Sequence, residues 1–359
     1  MKPRWVIAGG GTGGHLYAGI AVAEALRARR PDADILFVGT ERGLEARVVP
    51  EQGYDLKTIK VEGVKNRGLL SMLKAMIQVP LSILASGRIL KEFGATAVLG
   101  VGGYASGPLA MAAWLMRIPV AVQEQNALPG ITNRILGRLV RVVYTSWPAT
   151  QGFPGNRMHH VGNPIRSSIR PVDAVEGTFR LLVFGGSQGA RTLNRAMAEA
   201  APLLTPLADR VTIIHQQGKD NTVDVAEAYR QAGLSADVRP YFDDMPEQYA
   251  HASLAFCRAG ATSLAELAAA RLPAILVPFP FAADNHQEKN ADVFVTAGAA
   301  EKLLDADTTG EAIARRIRTL VDNPEQLSAM RRGMASLARP EAAEALVEHW
   351  LQATETAHV

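Results

Sequence analysis

Two glycine-rich turns, each preceded by a short apolar run, constrain the fold of this chain more than any other feature. Residues 4–8 lead into Gly9-Gly-Gly-Thr-Gly-Gly-His15, and residues 180–184 lead into Gly185-Gly-Ser-Gln-Gly-Ala190. A helical pattern follows each turn. Glycine lets a ligand approach the backbone closely, while the first N–H groups of a helix lack helical partners and lie at the positive end of its dipole. The sequence therefore predicts two phosphate-binding units, one in each of two domains that face a cleft.

The composition is that of a globular protein of two domains. The chain has 359 residues, of which 48% are hydrophobic and 20% are charged. The net charge is +3, and the basic residues are not clustered along the sequence, so no nucleic-acid partner is predicted. An acidic ligand or an anionic membrane surface would explain the slight positive charge as well as a nucleic acid would. A single cysteine, Cys257, excludes an internal disulfide framework and fits a reducing compartment. No signal peptide is expected, and no stretch reaches the roughly 20 apolar residues of a membrane-spanning helix.

Continuous apolar runs alternate with helical patterns along the whole chain. Such runs are typical of parallel strands buried on both faces, so we predict an α/β fold with two Rossmann-like, doubly wound parallel sheets. Beyond the two runs named above, strands are predicted at residues 35–39, 97–100, 120–123, 142–145, 211–215, 254–257 and 274–277. Glycine and proline at residues 160–166 predict a linker between an N-terminal domain (1–161) and a C-terminal domain (162–339). A last helical pattern within residues 340–359 is expected to pack back on the first domain.

The first domain offers candidate groups where its predicted strands end, which is where ligands bind in such sheets. His15 closes the first glycine turn at a helix N-terminus, where the dipole disfavours a protonated ring. It is either a proton acceptor or a helix-capping residue. The segment Gly100-Val-Gly-Gly-Tyr-Ala-Ser-Gly107 predicts a second phosphate cradle, with Ser106 as a helix N-cap. Tyr104 is either a hydroxyl donor to a ligand or a packing residue.

Another polar cluster follows the next strand of the first domain. Residues 123–126, Gln-Glu-Gln-Asn, place one carboxylate and three amides there, with Gly130 and Asn133 close behind. Because amides both donate and accept hydrogen bonds, the cluster could bind hydroxyl groups. The alternative is a polar loop that caps the next helix.

The second domain carries a denser set of polar residues after its strands. Ser187 and Gln188 lie inside the second glycine turn and could hold a diphosphate leaving group. Arg258 could meet a phosphate or a carboxylate. Glu266, in the next helix, could bridge the two hydroxyls of a ribose or only face the helix dipole. Residues 284–290 suit a sugar, and residues 241–245 offer an aromatic wall and backbone amides for a base.

Other chemistries have weaker support in the sequence. The eight histidines are scattered, and no two of them flank a cysteine or carboxylate at ligand spacing, so no metal site is predicted. A nicotinamide enzyme is the main alternative, because the first turn fits a loose dinucleotide fingerprint. Glu41, however, comes too late after the second strand for the usual ribose contact.

Taken together, these segments point to one family. Their order along the chain is Gly9–His15, Gly102–Tyr104, Glu124–Asn126, Gly162–Pro164, Gly185–Ala190, Arg258 with Glu266, and His286-Gln287 with Asn290. The chain closely resembles the MurG family of bacterial peptidoglycan glycosyltransferases over essentially its whole length. One departure is visible, because the family usually has His before Glu-Gln-Asn and this chain has Gln123. A direct role for an imidazole at that position is therefore not expected.

The resemblance implies a GT-B fold and an inverting transfer of N-acetylglucosamine from UDP-N-acetylglucosamine (UDP-GlcNAc). The implied acceptor is undecaprenyl-diphosphoryl-N-acetylmuramoyl-pentapeptide (lipid I), and the product is lipid II. The resemblance also implies peripheral attachment to the cytoplasmic face of the bacterial inner membrane and other cell-wall synthesis and division proteins as partners. No permanently bound cofactor is implied, although a divalent cation could stimulate the reaction. A related UDP-sugar glycolipid transferase is the first alternative, ahead of a nucleotide-binding epimerase or dehydrogenase.

The resemblance further assigns site residues. In the second domain the backbone of Phe242 is expected against the uracil and Glu266 on the ribose. The full expected donor set is Thr12, Gly13, Gly14, His15, Asn126, Arg166, Ser187, Gln188, Phe242, Arg258, Ala261, Thr262, Ser263, Glu266, His286, Gln287 and Asn290. The acceptor diphosphate is expected on Gly11, Thr12, Gly102, Gly103, Tyr104 and Ser106. His15 is the expected catalytic base, with Glu124 second.

A lipid-linked acceptor requires a membrane surface, and residues 64–81 have the right character for one. The segment combines Lys65, Arg67 and Lys74 with a stripe of apolar residues, Leu69, Leu70, Leu73, Met76 and Ile77, which Trp114 could join. Such a stripe could lie in the membrane interface without spanning it. The alternative is an ordinary helix that faces the core.

Overall fold

The protein divides into two compact α/β units. The structure is a computed structural model that describes residues 2–10, 13–41, 43–61, 69–148, 150–172, 177–186, 189–219 and 222–355, without the side chains of residues 69–77, 283 and 355. The first unit comprises Met1–Arg166 with Glu341–Val359, and the second comprises Ser167–Pro340. Each contains a parallel sheet flanked by helices, as predicted.

The first unit alternates strands and helices along the chain. Its elements are β1 (Arg4–Gly9), α1 (Gly13–Arg29), β2 (Asp34–Gly39), α2 (Glu45–Glu51), β3 (Asp55–Thr58), α3 (Leu69–Phe93), β4 (Ala97–Gly102), α4 (Ser106–Leu115), β5 (Val120–Glu124), α5 (Ile131–Leu136), β6 (Val142–Thr145) and β7 (Met158–His160). The strands described here form one sheet in the order β3-β2-β1-β4-β5-β6-β7, and all pair in parallel. The direction of winding reverses between β1 and β4, so the turns that follow these two strands are neighbours at a topological switch point.

The second unit repeats this plan. Its elements are β8 (Phe179–Phe184), α6 (Arg191–Leu204), β9 (Val211–Gln216), α7 (Val225–Gln231), β10 (Ser235–Arg239), α8 (Met245–His251), β11 (Leu254–Cys257), α9 (Ala261–Ala270), β12 (Ala274–Leu276), α10 (His286–Thr296), β13 (Ala300–Lys302), α11 (Gly310–Val321) and α12 (Pro324–Leu337). Its described strands form a parallel sheet in the order β10-β9-β8-β11-β12-β13. The switch point lies between β8 and β11, which places the second glycine turn beside the turn after β11.

The last helix, α13 (Ala342–Glu355), belongs to the first unit. Its Trp350 is buried and packs edge-on against Trp5 of β1, with ring centroids 6.3 Å apart. The hydroxyl of Tyr144 on β6 forms a hydrogen bond with Nδ1 of His349, 2.8 Å away. An aromatic pair and a buried polar contact therefore attach this helix to the sheet of the first unit.

The first unit extends a few residues beyond the boundary at 161 that the sequence indicated, because residues 161–165 are buried. The side chain of Asn163 accepts a hydrogen bond from Nε2 of Gln123 at 3.0 Å, which joins this segment to β5. Glycine and proline here mark a turn that is part of the first unit, and the division between units follows Arg166.

Candidate functional site

The two glycine turns of the first unit meet at its switch point. A Cβ added to Gly103 would overlap the carbonyl oxygen of Gly10 and lie 3.1 Å from the nitrogen of that residue. The imidazole of His15 lies against the same loop, because a Cβ on Gly102 would come within 2.6 Å of its Cδ2 and 2.7 Å of its Nε2. The structure thus brings His15, Gly102 and Gly103 together, whereas Gly11 and Thr12 lie outside the described residues.

Two helices begin beside these loops, which gives the place a positive electrostatic character. Gly13 and Gly14 start α1, and His15 is its third residue. Helix α4 starts at Ser106, three residues after Gly103. The first N–H groups and the dipoles of both helix N-termini favour an anion here. Tyr104, in the loop before α4, is half exposed.

The prediction that Ser106 caps α4 is wrong. The N-cap residue is Ala105, and no side chain caps this end of the helix. Ser106 is fully buried under the loop, and its Oγ has no hydrogen-bond partner among the described residues. Its side chain points toward β4, where a Cβ on Gly100 would overlap Oγ. Because the hydroxyl is buried, a contact of Ser106 with the acceptor diphosphate would have to use its backbone.

Glu124 ends β5 with a buried carboxylate that is held by three amide groups. Oε1 accepts hydrogen bonds from the backbone and side-chain nitrogens of Asn126 at 2.9 and 3.1 Å, and Oε2 accepts one from Nδ2 of Asn133 at 2.8 Å. Burial raises the pKa of this carboxyl above its ordinary value, although the amide donors oppose the shift. A raised pKa makes Glu124 a stronger proton acceptor than an exposed glutamate, but its side chain is closely enclosed by its amide partners.

Gln123, which stands where the family usually has histidine, is fully buried. Its Nε2 donates to Oγ of Ser146 and to Oδ1 of Asn163, both at 3.0 Å, and its Oε1 has no hydrogen-bond partner among the described side chains and backbone. The position therefore anchors the Gly162-Asn-Pro164 turn to β5.

A residue that sequence reasoning missed, Glu45, supports the first glycine turn. It is the first residue of α2, is buried, and its Oε1 accepts hydrogen bonds from the nitrogen and Oγ1 of Thr40 at 2.9 and 2.8 Å. Its side chain fills the space in which a Cβ on Gly10 or Gly39 would lie. The sequence does show that Glu45 is an acidic residue in the first turn of a helix, which is a common position for one. Its burial beside Gly10 could not be predicted, because it depends on β1 and β2 lying side by side.

Arg166, an expected donor contact, packs against the first unit. Its guanidinium carbon lies 4.7 Å from the centre of the Tyr17 ring on α1, at cation–π distance. The side chain is half buried. Its expected donor contact stays a prediction.

The second glycine turn rests on the end of β9. A Cβ on Gly189 (φ +75°) would overlap the carbonyl oxygen of Gln217, to which Asn194 of α6 also donates at 2.9 Å. The Oδ1 of Asn194 is 3.0 Å from Nε2 of buried His215, whose Nδ1 is 2.7 Å from the hydroxyl of Tyr229. Burial lowers the pKa of His215 to about 3, so the ring is neutral near pH 7 and acts structurally. Ser187 and Gln188 themselves lie outside the described residues.

Glu266 is held in a defined orientation below the N-terminus of α9. Its Oε2 accepts a hydrogen bond from the hydroxyl of Tyr249 at 3.1 Å, and both side chains are buried. It lies in the second turn of the helix that begins with Ala261, Thr262 and Ser263. Among the described residues, a Cβ on Gly260, just before the helix, would meet only Oγ of Ser263, at 3.9 Å. The open backbone there leaves room for a ligand near the helix N-terminus.

Arg258, expected near the diphosphate, is engaged with the protein itself. Its Nη1 donates to Oδ1 of Asp305 at 2.5 Å and to the carbonyl oxygens of Val277 and Pro278 at 3.2 Å. The other carboxylate oxygen of Asp305 accepts from Oγ1 of Thr192 on α6 at 3.1 Å. Arg258 thus connects the turns after β11 and β12 with the helix that follows the second glycine turn.

The residues expected near the sugar surround the start of α10. His286 is its first residue, and Oε1 of Gln287 accepts a hydrogen bond from the nitrogen of Phe279 at 2.9 Å. Asn290 is buried, and its Nδ2 donates to the carbonyl oxygen of Ala259 at 3.3 Å. These contacts hold α10 against the turns after β11 and β12.

The expected aromatic wall at residues 241–245 is not formed by Phe242. Its ring is buried under Arg239, whose guanidinium carbon lies 4.9 Å from the ring centre, and its backbone nitrogen donates to Oε1 of Gln216 at 3.0 Å. A uracil held by this segment would therefore use backbone groups other than that N–H. Among the described residues, no group of three or more His, Cys, Asp or Glu side chains could hold a metal ion.

Comparison with known proteins gives the same picture as the local geometry. The model of the glycosyltransferase family 28 N-terminal domain matches residues 5–145, and that of the family 28 C-terminal domain matches residues 180–346. A protein of Anaeromyxobacter sp. (strain K) is 48% identical over 96% of this chain and 91% of its own length. It is named UDP-N-acetylglucosamine–N-acetylmuramyl-(pentapeptide) pyrophosphoryl-undecaprenol N-acetylglucosamine transferase.

The chain belongs to the MurG family of glycosyltransferases. A crystal structure of Acinetobacter baumannii MurG has a TM-score of 0.78 and 30% identity, and covers 96% of this chain and 98% of its own. The family and the two-domain fold predicted from the sequence are thereby confirmed.

A UDP-N-acetylglucosamine 2-epimerase structure is also similar, with a TM-score of 0.69 at 13% identity, over 99% of this chain and 98% of its own. At that identity the likeness concerns the fold alone, since one fold hosts many chemistries.

Proposed function

We propose that this chain transfers N-acetylglucosamine from UDP-GlcNAc to undecaprenyl-diphosphoryl-N-acetylmuramoyl-pentapeptide and forms lipid II. The observation that carries the proposal is the full-length similarity to transferases named for this reaction, together with a paired glycine-loop site in the first unit. The second unit supplies the buried Glu266 and a glycine turn beside a helix N-terminus, which suit a nucleoside diphosphate. An epimerase is less well supported, because only fold similarity favours it.

The proposed chemistry assigns one role to each unit. In the first unit, the loops around Gly10 and Gly103 hold the acceptor diphosphate, and His15 takes the proton of the attacking acceptor hydroxyl. The hydroxyl oxygen forms a bond to the anomeric carbon of the sugar while the bond from that carbon to UDP breaks. UDP leaves with the electron pair, and the N–H groups of the second glycine turn stabilise its charge. Attack opposite the leaving group inverts the anomeric centre.

Ligand stabilisation followed by turnover tests the proposal. UDP and UDP-GlcNAc are expected to raise the melting temperature, whereas NAD is not, because a ligand at 100 times its Kd stabilises the fold by about 2.7 kcal/mol. Incubation with UDP-GlcNAc and a lipid I analogue is expected to yield a product heavier by one N-acetylglucosamine residue. Stabilisation by NAD, or conversion of UDP-GlcNAc without any acceptor, would contradict the proposal.

An exposed apolar surface on the first unit supports attachment to a membrane. It consists of the exposed side chains of Val79, Leu81 and Leu84 on α3 and of Trp114, Leu115 and Met116 at the end of α4. The two helices meet here, since a Cβ on Gly87 would lie 3.7 Å from Sδ of Met116. The side chains of Leu69, Leu70, Leu73, Met76 and Ile77 lie outside the described ones, so their part in this surface stays a prediction.

We propose that this apolar surface inserts into the lipid interface of a membrane. Leu84 is 63% exposed and Leu115 is 60% exposed, and apolar side chains clustered in this way are typical of an interaction surface. Exposed Arg88 and Arg117 lie on the same two segments and could meet anionic lipid headgroups. In the part of the chain that the structure describes, no helix has the length and apolar character needed to cross a bilayer. We place the enzyme peripherally, on the cytoplasmic face of the inner membrane, where cell-wall synthesis and division proteins are its proposed partners.

Sedimentation with liposomes tests this attachment. The parent protein is expected to sediment with anionic liposomes, and the double variant Leu84→Glu/Leu115→Glu to lose at least about tenfold in partition, because each buried leucine contributes about 1.5–3 kcal/mol. Val295→Glu, at an exposed apolar position of the second unit, is the matched control and is expected to bind as the parent does. Equal recovery of the parent protein in the supernatant with anionic and neutral lipids would contradict the proposal that this surface binds a membrane.

A further inference from the structure

One side chain, Gln216, joins two separate loops of the second unit. It is the last residue of β9 and is buried. Its Nε2 donates to the carbonyl oxygen of Gly186 in the second glycine turn at 2.9 Å. Its Oε1 accepts from the backbone nitrogen of Phe242 at 3.0 Å. A single planar amide therefore uses its donor end on one loop and its acceptor end on the other.

These two loops are the parts of the second unit expected to hold opposite ends of a nucleoside diphosphate. The glycine turn faces the diphosphate, and the segment that begins at Phe242 faces the base. Gly186 adopts φ +81°, and no heavy atom of the described residues lies within 4 Å of an added Cβ. Loops of this kind move independently unless a contact couples them, and coupling reduces the entropy lost when a ligand spans both.

The end of β9, from which the side chain of Gln216 projects, is held by contacts of both neighbouring residues. Gln216 follows His215, whose ring is fixed between Asn194 and Tyr229, and precedes Gln217, whose carbonyl oxygen accepts from Asn194. The backbone nitrogen of Gln217 donates in turn to the carbonyl oxygen of Arg239 at 3.0 Å. The amide of Gln216 thus projects from a strand end that is itself held on both sides.

We propose that Gln216 is a positioning residue that sets the spacing between the diphosphate loop and the base loop of the donor site. The inference rests on the proposed function, because it takes the ligand of these loops to be a uridine diphosphate. Gln216 acts through both loops and does not need to touch the ligand. Its loss should weaken a ligand that spans both loops more than a ligand that occupies one of them.

The test compares UDP with uridine as ligands of the full chain. UDP affinity is measured by calorimetry, and uridine affinity by NMR titration to millimolar concentration. In Gln216→Met the Kd of UDP is expected to rise about tenfold or more, while that of uridine changes less than about twofold. Gln216→Asn keeps an uncharged amide that is too short to reach both loops. Gln216→Asn is also expected to weaken UDP binding much more than uridine binding. It serves as the test if Gln216→Met fails to fold.

A control separates positioning from loss of stability. Ile213→Ala removes a buried side chain from the same strand without touching either loop, and its UDP and uridine affinities are expected to equal those of the parent. If the Kd values of UDP and uridine change equally in the Gln216 variants, or if neither changes, the positioning role of Gln216 is overturned. The proposed function would then remain intact. A parent protein that binds neither ligand would overturn both.

Discussion

His15→Ala is expected to lower the single-turnover rate by about 10²–10⁴-fold, the usual contribution of a general base. His15 lies at the N-terminus of α1 with its ring against Gly102, where we propose that the acceptor diphosphate binds. The attacking hydroxyl loses its proton as it forms the new bond, so a proton acceptor must lie within hydrogen-bond reach of it. The rate is measured with enzyme in excess over a lipid I analogue, so that product release does not limit it.

Glu124→Gln is the matched comparison for His15→Ala. It retains the size of the side chain and can still accept from Asn126, but it removes the carboxylate whose pKa burial raises. If His15 is the base, this variant loses less than the alanine variant at position 15. A loss below about tenfold for His15→Ala, with a larger loss for Glu124→Gln, would assign the proton to Glu124 instead.

The inner strands of both sheets could be predicted from the sequence, and the edge strands could not. The strands that escaped prediction are β3, β7, β10 and β13, which lie at the edges of the two sheets. An edge strand has one neighbouring strand and leaves much of its surface in water, so it needs no continuous apolar run. Strand β3, Asp-Leu-Lys-Thr, and β10, Ser-Ala-Asp-Val-Arg, show this polar composition.

The candidate site divides along a similar line. Glycine turns and the polar residues that follow strands carry a local signal, so His15, Gly103 and Glu266 could be proposed from the sequence. Gln216 and Glu45 make contacts with segments that are distant in sequence. No local pattern indicates Gln216, and the position of Glu45 in the first turn of α2 does not reveal that it packs against Gly10. Ser106 looked like an N-cap because its residue type favours that position, but the tight approach of α4 to β4 buries its hydroxyl.

Gly103→Ala is expected to reduce kcat/KM for the acceptor by about 100-fold or more. The residue adopts φ +83°, and an added methyl group would overlap the carbonyl oxygen of Gly10, so the backbones of the two loops must separate. A displacement of about 1 Å in a site that positions substrate can cost about 10²-fold in rate. The Kd of UDP is expected to stay within about twofold of the parent value, because the glycine turn and the base loop that are proposed to hold the uridine diphosphate belong to the second unit.

Gly53→Ala controls for backbone strain in this comparison. Gly53 adopts a similar φ of +71° in the same unit, but no atom of the residues that the structure describes lies within 4 Å of its added Cβ. Both variants therefore carry the left-handed penalty of about 1–2 kcal/mol, and only Gly103→Ala carries the overlap. Full activity in Gly53→Ala beside a large loss in Gly103→Ala assigns the effect to contact between the two loops. Equal losses would show that destabilisation alone lowers the rate, and the acceptor site would have to lie elsewhere in the first unit.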